Sequence, residues 1–358
     1  MTATDPRLVD CDVHCVPSIS QLSPFLSDVW RDHFEATKYA GPVPVPLTYP
    51  AWNPVTRTAP EQLTLDAIRD HALGPASAAV LVCYYGIESF THPYLASDLA
   101  TAVNRWLQAE WLDREPRLRA SAVLTPQHVE FAVDEIERIA PDPRFVQLLL
   151  PARSPAGFGN QRYWPLLRAA ARHRLPVAIT FGGGTGTPPT PVGWLSSYYE
   201  EYNTAILNFQ SHILSLVMSG IFQECPDLRI VCTEGGWTWL PGFLWRMDAE
   251  WKAFHREVPW VQERPSTYVR RHFRFTTQPF DAPASELHLS QLLEQIGSEN
   301  ILMYGSDYPH RYAHDNEELL AAVSPTHARR IRWENACELY ASRSQLELGS
   351  MAATAAEP

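Results

Sequence analysis

Two residues near the start of the chain, Asp12 and His14, are of the types and the spacing that bind metal ions. They end an apolar run, residues 8–14, that is predicted to form a buried strand. Side chains two residues apart on a strand face the same side, so the carboxylate and the imidazole should project together. This pair of donors suits Zn²⁺ or a similar divalent ion. An Asp-x-His triplet is also common on protein surfaces, and the metal-site interpretation therefore needs partners elsewhere in the chain.

Other polar side chains stand where further apolar runs end. Thr180 closes one such run, Glu234 closes a second and is followed by two glycines, and Asp307 and His310 close a third. A carboxylate just beyond a buried strand is costly unless it is paired, bound to a metal ion or catalytic. Each residue also has a plainer alternative. Asp307 could cap a helix, Glu234 could hold the turn made with its glycines, and His310 could be solvated in its loop.

The chain that carries these positions is predicted to alternate strands and helices. Short apolar runs without polar alternation are typical of strands buried on both faces, and they occupy residues 8–14, 78–83, 118–123, 145–150, 175–181, 228–232, 273–276 and 301–304. Helical spacing of apolar residues predicts helices over residues 63–72, 95–115, 129–139, 162–173, 204–224, 239–254, 286–296 and 325–342.

Strict alternation of this kind predicts a parallel sheet, and about eight units predict an α/β fold of the closed (β/α)₈ TIM-barrel type. A doubly wound open sheet is the alternative, but no glycine-rich turn follows the first strand. Residues 17–75 contain many prolines and are predicted to form a long, mostly irregular insertion after the first strand, with a functional or lid-like role. Residues 1–345 would form a single domain, and residues 346–358 a frayed tail.

The composition argues against several classes of partner. The 358 residues carry a net charge of −11, which disfavours nucleic acid and anionic membrane surfaces. No run approaches the roughly 20 apolar residues of a membrane helix, and the first residues do not resemble a signal peptide. The 6 cysteines are scattered, as in reduced proteins of the cytoplasm. A cytoplasmic protein that binds a small molecule is the resulting expectation.

Three motifs resemble those of the amidohydrolase-related family, the branch of the amidohydrolase superfamily that includes aminocarboxymuconate semialdehyde decarboxylase and the aromatic-acid decarboxylases. They are Asp-Val-His at residues 12–14, Glu-Gly-Gly at residues 234–236, and Tyr-Gly-Ser-Asp-Tyr-Pro-His at residues 304–310. The resemblance extends over residues 8–340. It implies a (β/α)₈ barrel that holds one divalent metal ion, usually zinc.

The resemblance also implies roles for individual residues. Asp12 and His14 would be metal ligands from the first strand, and Asp307 would be both a ligand and the general base. Glu234 stands where the semialdehyde decarboxylase has a catalytic His, and Thr180 stands where the family usually has a ligand His. Because a Thr hydroxyl is a poor ligand for zinc, Glu234 or His212 would have to complete the set, or the site would be free of metal.

The leading prediction is therefore a metal-dependent hydrolase or non-oxidative decarboxylase that acts on a small aromatic or cyclic substrate. The residues predicted to be catalytic are Asp307, Glu234 and His212, and those predicted to contact substrate are Arg153, Thr180, Trp194, Tyr198, Trp237 and His310. Arg153 would pair with a substrate carboxylate or else form a loop salt bridge. His212 lies on an apolar helix face, where a structural His is common. The aromatic residues that do not line the pocket would fill the core or a homodimer interface.

Two other functions fit the same residues. One is a metal-independent enzyme in which Asp307, Glu234 and His14 perform acid–base chemistry, such as an elimination, a cyclisation or an isomerisation. The other is a non-catalytic binding barrel. Thr180 favours the metal-independent enzyme, because it is a poor metal ligand. The binding barrel is disfavoured, because keeping several charged groups at strand ends costs stability.

Overall fold

Eight strands form one parallel sheet in the computed structural model, which describes residues 7–41, 63–183, 189–190 and 192–343. The strands are β1 Val9–His14, β2 Ala78–Val82, β3 Leu118–Val123, β4 Phe145–Arg153, β5 Val177–Gly183, β6 Ile230–Cys232, β7 Phe273–Thr276 and β8 Leu302–Met303. Each strand pairs with the next one along the chain. The strands predicted at 118–123 and 273–276 have the predicted ends, and the other six differ by a few residues.

Backbone hydrogen bonds between β1 and the segment after β8 close the sheet. The N–H of Cys11 donates to the carbonyl of Tyr304 at 2.8 Å, and the N–H of His14 donates to that of Tyr308 at 2.8 Å. The predicted TIM barrel is thus confirmed, and the open, doubly wound alternative is wrong. Because all strands run parallel, their C-terminal ends meet at one mouth of the barrel.

Helices connect the strands and cover the outside of the barrel. The α-helices are α1 Ile19–Leu22, α2 Asp28–Thr37, α3 Leu65–His71, α4 Pro93–Trp106, α5 Val129–Ile139, α6 Trp164–Arg172, α7 Tyr198–Thr204, α8 Ile206–Ser219, α9 Ile221–Glu224, α10 Leu240–Phe254, α11 Pro265–His272, α12 Glu286–Ile296, α13 Asn316–Ala321, α14 Pro325–Arg329 and α15 Asn335–Tyr340. The predictions for α5 and α12 are confirmed to the residue. The short helices α11 and α13 were not predicted, because their few apolar positions give no clear period.

The region after β1 is more regular than its proline content predicts. Helices α1 and α2 lie inside it, and α3 occupies the helix predicted at 63–72. Ser18 begins α1 with a capping box that it forms with Gln21, and α2 buries Phe34 in the core. The prediction of a mostly irregular insertion is therefore wrong for these residues. Its proline-rich centre, residues 42–62, and the tail predicted at 346–358 lie outside the described residues.

A separate apolar cluster fills the interior of the barrel below the mouth. Its strand members alternate along the sequence, as in Ala78, Val80 and Val82 of β2, and α15 adds three buried residues to it. Tyr340 of α15 is fully buried, and its hydroxyl donates to Gln147 of β4 at 2.8 Å. The bottom of the barrel is therefore closed by packing, and the polar strand ends are left at the other side.

Candidate active site

The end of β1 is irregular, and the irregularity aims its polar side chains. The pairing with β2 slips between Asp10 and Val13, as in a β-bulge. Asp12 is fully buried, and His14 is 9% exposed. The predicted projection of both side chains from the end of the first strand is what the structure shows, although the strand is not evenly alternating.

Side chains from β1 and from the residues just after β6 and β8 converge on His14. Its Nε2 atom lies 2.7 Å from Asp307 Oδ1, 3.4 Å from Glu234 Oε1 and 3.6 Å from Asp12 Oδ1. One ligand atom from each of these four residues lies within 4.8 Å of the others. Three carboxylates and one imidazole, far apart in the sequence, thus form one cluster at the mouth of the barrel.

Both carboxylates that follow β6 and β8 have an unusual backbone. Glu234 has φ 61° and Asp307 has φ 54°, which is the left-handed region that residues with a side chain seldom adopt. A left-handed residue costs of the order of 1 kcal/mol or more, and such residues gather at functional sites. The turn that the glycines after Glu234 were predicted to allow is present, because Gly236 also has a positive φ of 61°.

Hydroxyl groups hold the carboxylates in place. Thr180 donates to Glu234 Oε1 at 2.5 Å. The Oγ1 atom of Thr276 accepts from the N–H of Glu234 at 3.2 Å and lies 3.4 Å from Asp12 Oδ2. Tyr312 donates to Asp307 Oδ2. Each carboxylate thus lies beside a neutral hydroxyl group, which orients it without adding a positive charge.

Burial and the charges of their neighbours shift the pKa values of all four residues in the cluster. Burial and the nearby charges of Asp307 and Glu234 raise the pKa of Asp12 well above its usual value. Burial and Asp307 likewise raise the pKa of Glu234. Burial opposes a charged His14, but the three carboxylates outweigh it and raise the pKa of His14 to about 10. Burial also acts to raise the pKa of Asp307, but hydrogen bonds from His14 and His310 outweigh it and hold that pKa below its usual value.

The same residues fit a divalent cation. Asp12 Oδ1 is buried and has no hydrogen-bond partner among the described residues, although it points into the cluster. A single imidazole hydrogen cannot serve the three carboxylate oxygens that surround His14 Nε2. Carboxylate oxygens and an imidazole nitrogen are ordinary ligands of divalent metals. A cation at this point would satisfy the partnerless oxygen and offset the carboxylate charges.

His310 lies beside the cluster on the solvent side. Its Nδ1 atom is 2.8 Å from Asp307 Oδ1, and its side chain is 27% exposed. The rings of His310 and His14 meet edge to face, with centroids 5.1 Å apart. His310 therefore lies between the buried Asp307 and the solvent at the mouth of the barrel.

His212 does not belong to the cluster, and we correct its predicted role. Its Nδ1 accepts from the N–H of Phe158 at 3.2 Å, and its Nε2 lies 2.7 Å from the carbonyl of Ala152. Its ring stacks on Phe158, with centroids 4.3 Å apart. Both nitrogens are thus engaged by backbone groups, and burial lowers the pKa of His212 to about 4. The sequence had offered a structural His on the apolar face of α8 as the alternative to a catalytic His212, and these contacts favour that alternative.

The residues predicted to contact substrate have different surroundings in the structure. Trp237 is fully buried, donates its indole N–H to the carbonyl of Thr277 at 3.0 Å and stacks on Phe280. Its prediction as a pocket residue is replaced by a role in the core. Arg153, at the end of β4, forms an ion pair of 3.2 Å with Glu201 of α7.

Two other aromatic predictions have different outcomes. Trp194 is 54% exposed, as a residue at the rim of a mouth can be. The side chain of Tyr198 lies outside the described residues. These two substrate contacts stay predictions.

Two residues of the site were missed in the sequence, and Thr276, which ends the seventh predicted strand, was given no role. Tyr312 was not singled out, because a single hydroxyl residue gives no signal by itself. Asp10 is buried on β1 and accepts from the N–H of Ser306 at 2.9 Å and from that of Asp12 at 3.2 Å. Its place two residues before Asp12 in an apolar strand was an available signal, because a buried carboxylate requires partners.

Together, the fold and the site define a (β/α)₈ barrel with a candidate metal centre at its catalytic face. The chain belongs to the amidohydrolase family, whose sequence model matches residues 9–341. It is 27% identical over 264 residues to gamma-resorcylate decarboxylase of Rhodococcus jostii, an alignment that covers 66% of this chain and 74% of the relative.

Solved structures share the fold. A 2,6-dihydroxybenzoate decarboxylase in complex with 2,6-dihydroxybenzoate superposes with a TM-score of 0.66 at 18% identity, over 94% of this chain and 99% of that chain. A dihydroxybenzoic acid decarboxylase from a Polaromonas species, with bound manganese and the inhibitor 2-nitroresorcinol, has a TM-score of 0.66 at 18% identity, over 95% and 98% of the two chains. Among the residues described for the present chain, no helix has the length and apolarity needed to cross a membrane.

Proposed function

We propose that this protein is a metal-dependent, non-oxidative decarboxylase of a small aromatic carboxylic acid, such as a hydroxybenzoate. The observation that carries the proposal is the convergence of Asp12, His14, Glu234 and Asp307 at the mouth of a barrel of the amidohydrolase family. The relative at 27% identity, which is named as a gamma-resorcylate decarboxylase, favours decarboxylation over hydrolysis.

The proposed cofactor is a divalent metal ion. Asp12, His14 and Asp307 would hold it, because their ligand atoms lie together and Asp12 Oδ1 has no hydrogen-bond partner among the described residues. When bound, such an ion polarises a carboxylate or phenolate oxygen of the substrate. The bound manganese of a structure with the same fold supports a divalent ion more directly than it supports zinc.

The proposed reaction replaces the carboxyl group of one ring carbon with a proton. Decarboxylation breaks the bond between the ring carbon and the carboxyl group, CO₂ leaves, and the ring carbon keeps the electron pair and gains a proton. Asp307 and His310, joined at 2.8 Å, are the proposed proton carriers. His310 takes a proton from solvent, and the pair delivers it to the ring carbon as a general acid.

Substrate binding is proposed for residues around the mouth. Trp194 would contact the ring, together with Tyr198, and Arg153 would exchange its Glu201 partner for an anionic group of the substrate. The predicted substrate contact of Thr180 is not proposed, because Thr180 is fully buried and donates to Glu234. The predicted homodimer and the predicted cytoplasmic location stay predictions, and light scattering on the purified protein tests the first.

The test is turnover of a panel of hydroxybenzoic acids, including 2,6-dihydroxybenzoate, by protein loaded with Mn²⁺ or Zn²⁺. We expect release of CO₂ and formation of the corresponding phenol. In D₂O, one deuterium should appear at the carbon that carried the carboxyl group. Asp307→Asn, with the same metal content, serves as the inactive control. Failure of every acid with the metal-loaded protein would contradict the proposal, and full activity after removal of metal by a chelator would support the metal-independent alternative instead.

A further inference from the structure

The pair formed by Thr180 and Glu234 is the feature that sets this site apart from the metal centre that the resemblance implied. Thr180 is fully buried in the middle of β5, Val177–Gly183, and its hydroxyl donates to Glu234 Oε1 at 2.5 Å. The same oxygen lies 3.4 Å from His14 Nε2, inside the cluster. Thr180 thus points at Glu234, and Glu234 points at the place where the ligand atoms meet.

We propose that Glu234, positioned by Thr180, is the fourth ligand of the metal centre, and that three carboxylates and one imidazole make it a site for a hard divalent cation such as Mn²⁺. This inference rests on the proposed function, because it concerns the metal centre of that function. Carboxylate oxygens suit Mn²⁺ and Mg²⁺, whereas imidazole and thiolate ligands favour Zn²⁺.

Two observations support Glu234 as a ligand rather than as a part of the turn. First, Asp12 Oδ1 is a fully buried oxygen with no hydrogen-bond partner among the described residues, and it faces the same point. Second, Glu234 keeps a left-handed backbone, with φ 61°, and its N–H is held by Thr276. A turn alone would be satisfied by a glycine here, so the strained Glu indicates that its side chain is needed at this position.

The chemistry of Thr180 explains how the site works without a second imidazole. A hydroxyl orients a carboxylate but adds no positive charge, so the full negative charge of Glu234 is available to a cation. A His or Lys at the same place would compete with the cation for that charge. Thr180 is therefore a positioning residue, and Glu234 supplies the ligand.

The experiment measures metal binding directly, without substrate. Apoprotein is titrated calorimetrically with Mn²⁺ alone and with Zn²⁺ alone. Removal of a partner that orients a ligand typically costs about 10- to 100-fold in metal affinity. We expect Thr180→Val to weaken Mn²⁺ binding at least about tenfold and Glu234→Gln to weaken it by more.

Thr233→Val is the matched control, because Thr233 is equally buried but donates to the carbonyl of Ile179 instead. It should bind Mn²⁺ as the parent protein does. Electron spin echo spectroscopy of bound Mn²⁺ should detect one coordinated imidazole nitrogen. In Thr180→His it should detect two, and the ratio of the Zn²⁺ affinity to the Mn²⁺ affinity should rise at least about tenfold.

Wild-type affinity in Glu234→Gln would overturn the inference, and so would a spectrum of the parent protein with two coordinated imidazoles or with none. If Thr180→His does not fold, Thr180→Val and Glu234→Gln decide the question by calorimetry. These results are independent of the proposed reaction. A protein that binds Mn²⁺ through Glu234 but turns over no aromatic acid would refute the decarboxylase and keep the metal site.

Discussion

Replacement of His212 by Asn should change how the stability of the protein depends on pH. Burial lowers the pKa of His212 to about 4, from an ordinary value of 6.5. Below pH 6.5 the unfolded chain gains a proton at this residue, which the folded protein does not accept until about pH 4. The folded protein therefore loses stability as the pH falls through this window, and it is most stable above it.

The size of the effect follows from the two pKa values. Each unit of pKa difference corresponds to about 1.4 kcal/mol, and at about pH 5 roughly three fifths of the full difference has developed, which gives a loss of about 2 kcal/mol. At neutral pH, His212→Asn should be less stable than the wild type by about 1–3 kcal/mol, because the carbonyl of Ala152 and the N–H of Phe158 lose a partner. This gap should narrow by about 2 kcal/mol at about pH 5, since only the wild type is penalised there.

Urea unfolding of both proteins, followed by tryptophan fluorescence at several pH values, measures this gap. His272 is a built-in control, because burial also lowers its pKa to about 4 and it is present in both proteins. The reasoning would be refuted if the unfolding free energies of the two proteins fell in parallel as the pH is lowered. That result would mean that His212 takes up protons as readily in the folded state as in the unfolded chain. That behaviour is what the catalytic role predicted from the sequence would require.

Three other predictions concern the site and its surroundings. Asp307→Asn should lower kcat/KM by about 10²- to 10⁴-fold without loss of fold, as measured by turnover and circular dichroism. Gly305→Ala places a Cβ 2.8 Å from Thr276 Cβ. It should cost about 1–3 kcal/mol in urea unfolding and weaken Mn²⁺ binding, and unchanged values would contradict the packing described. Trp237→Ala should cost about 3–5 kcal/mol of stability. Trp194→Ala should cost less than about 0.5 kcal/mol and should instead raise KM, and the reverse order would restore Trp237 to the pocket.

Much of the fold is readable in the sequence because each strand and helix has its own local pattern. The barrel strands are continuous apolar runs, and the longer helices show an apolar face. Where proline dominates, the local pattern misleads, as it does for α1 and α2. Those helices form because Ser18 caps one and Phe34 anchors the other in the core.

The sequence by itself determined that Asp12, His14, Glu234 and Asp307 stand at strand ends. Since parallel strands bring their ends to one mouth, it also determined that these four residues meet. The polar residue types at each strand end can be read from the local sequence. The barrel topology follows from the repeated alternation of strands and helices.

Only the tertiary structure decided which polar groups are engaged with which partners. Thr180 and Glu234 are 54 residues apart, and Asp12 and Thr276 are 264 apart, so no local pattern reveals either contact. The sequence made His212 a candidate for catalysis, but the carbonyl of Ala152 in β4 and the N–H of Phe158 in the following loop engage both of its nitrogens. Hydrogen-bond partners depend on distances of a few tenths of an ångström between distant segments, and those distances exist only once the barrel has closed.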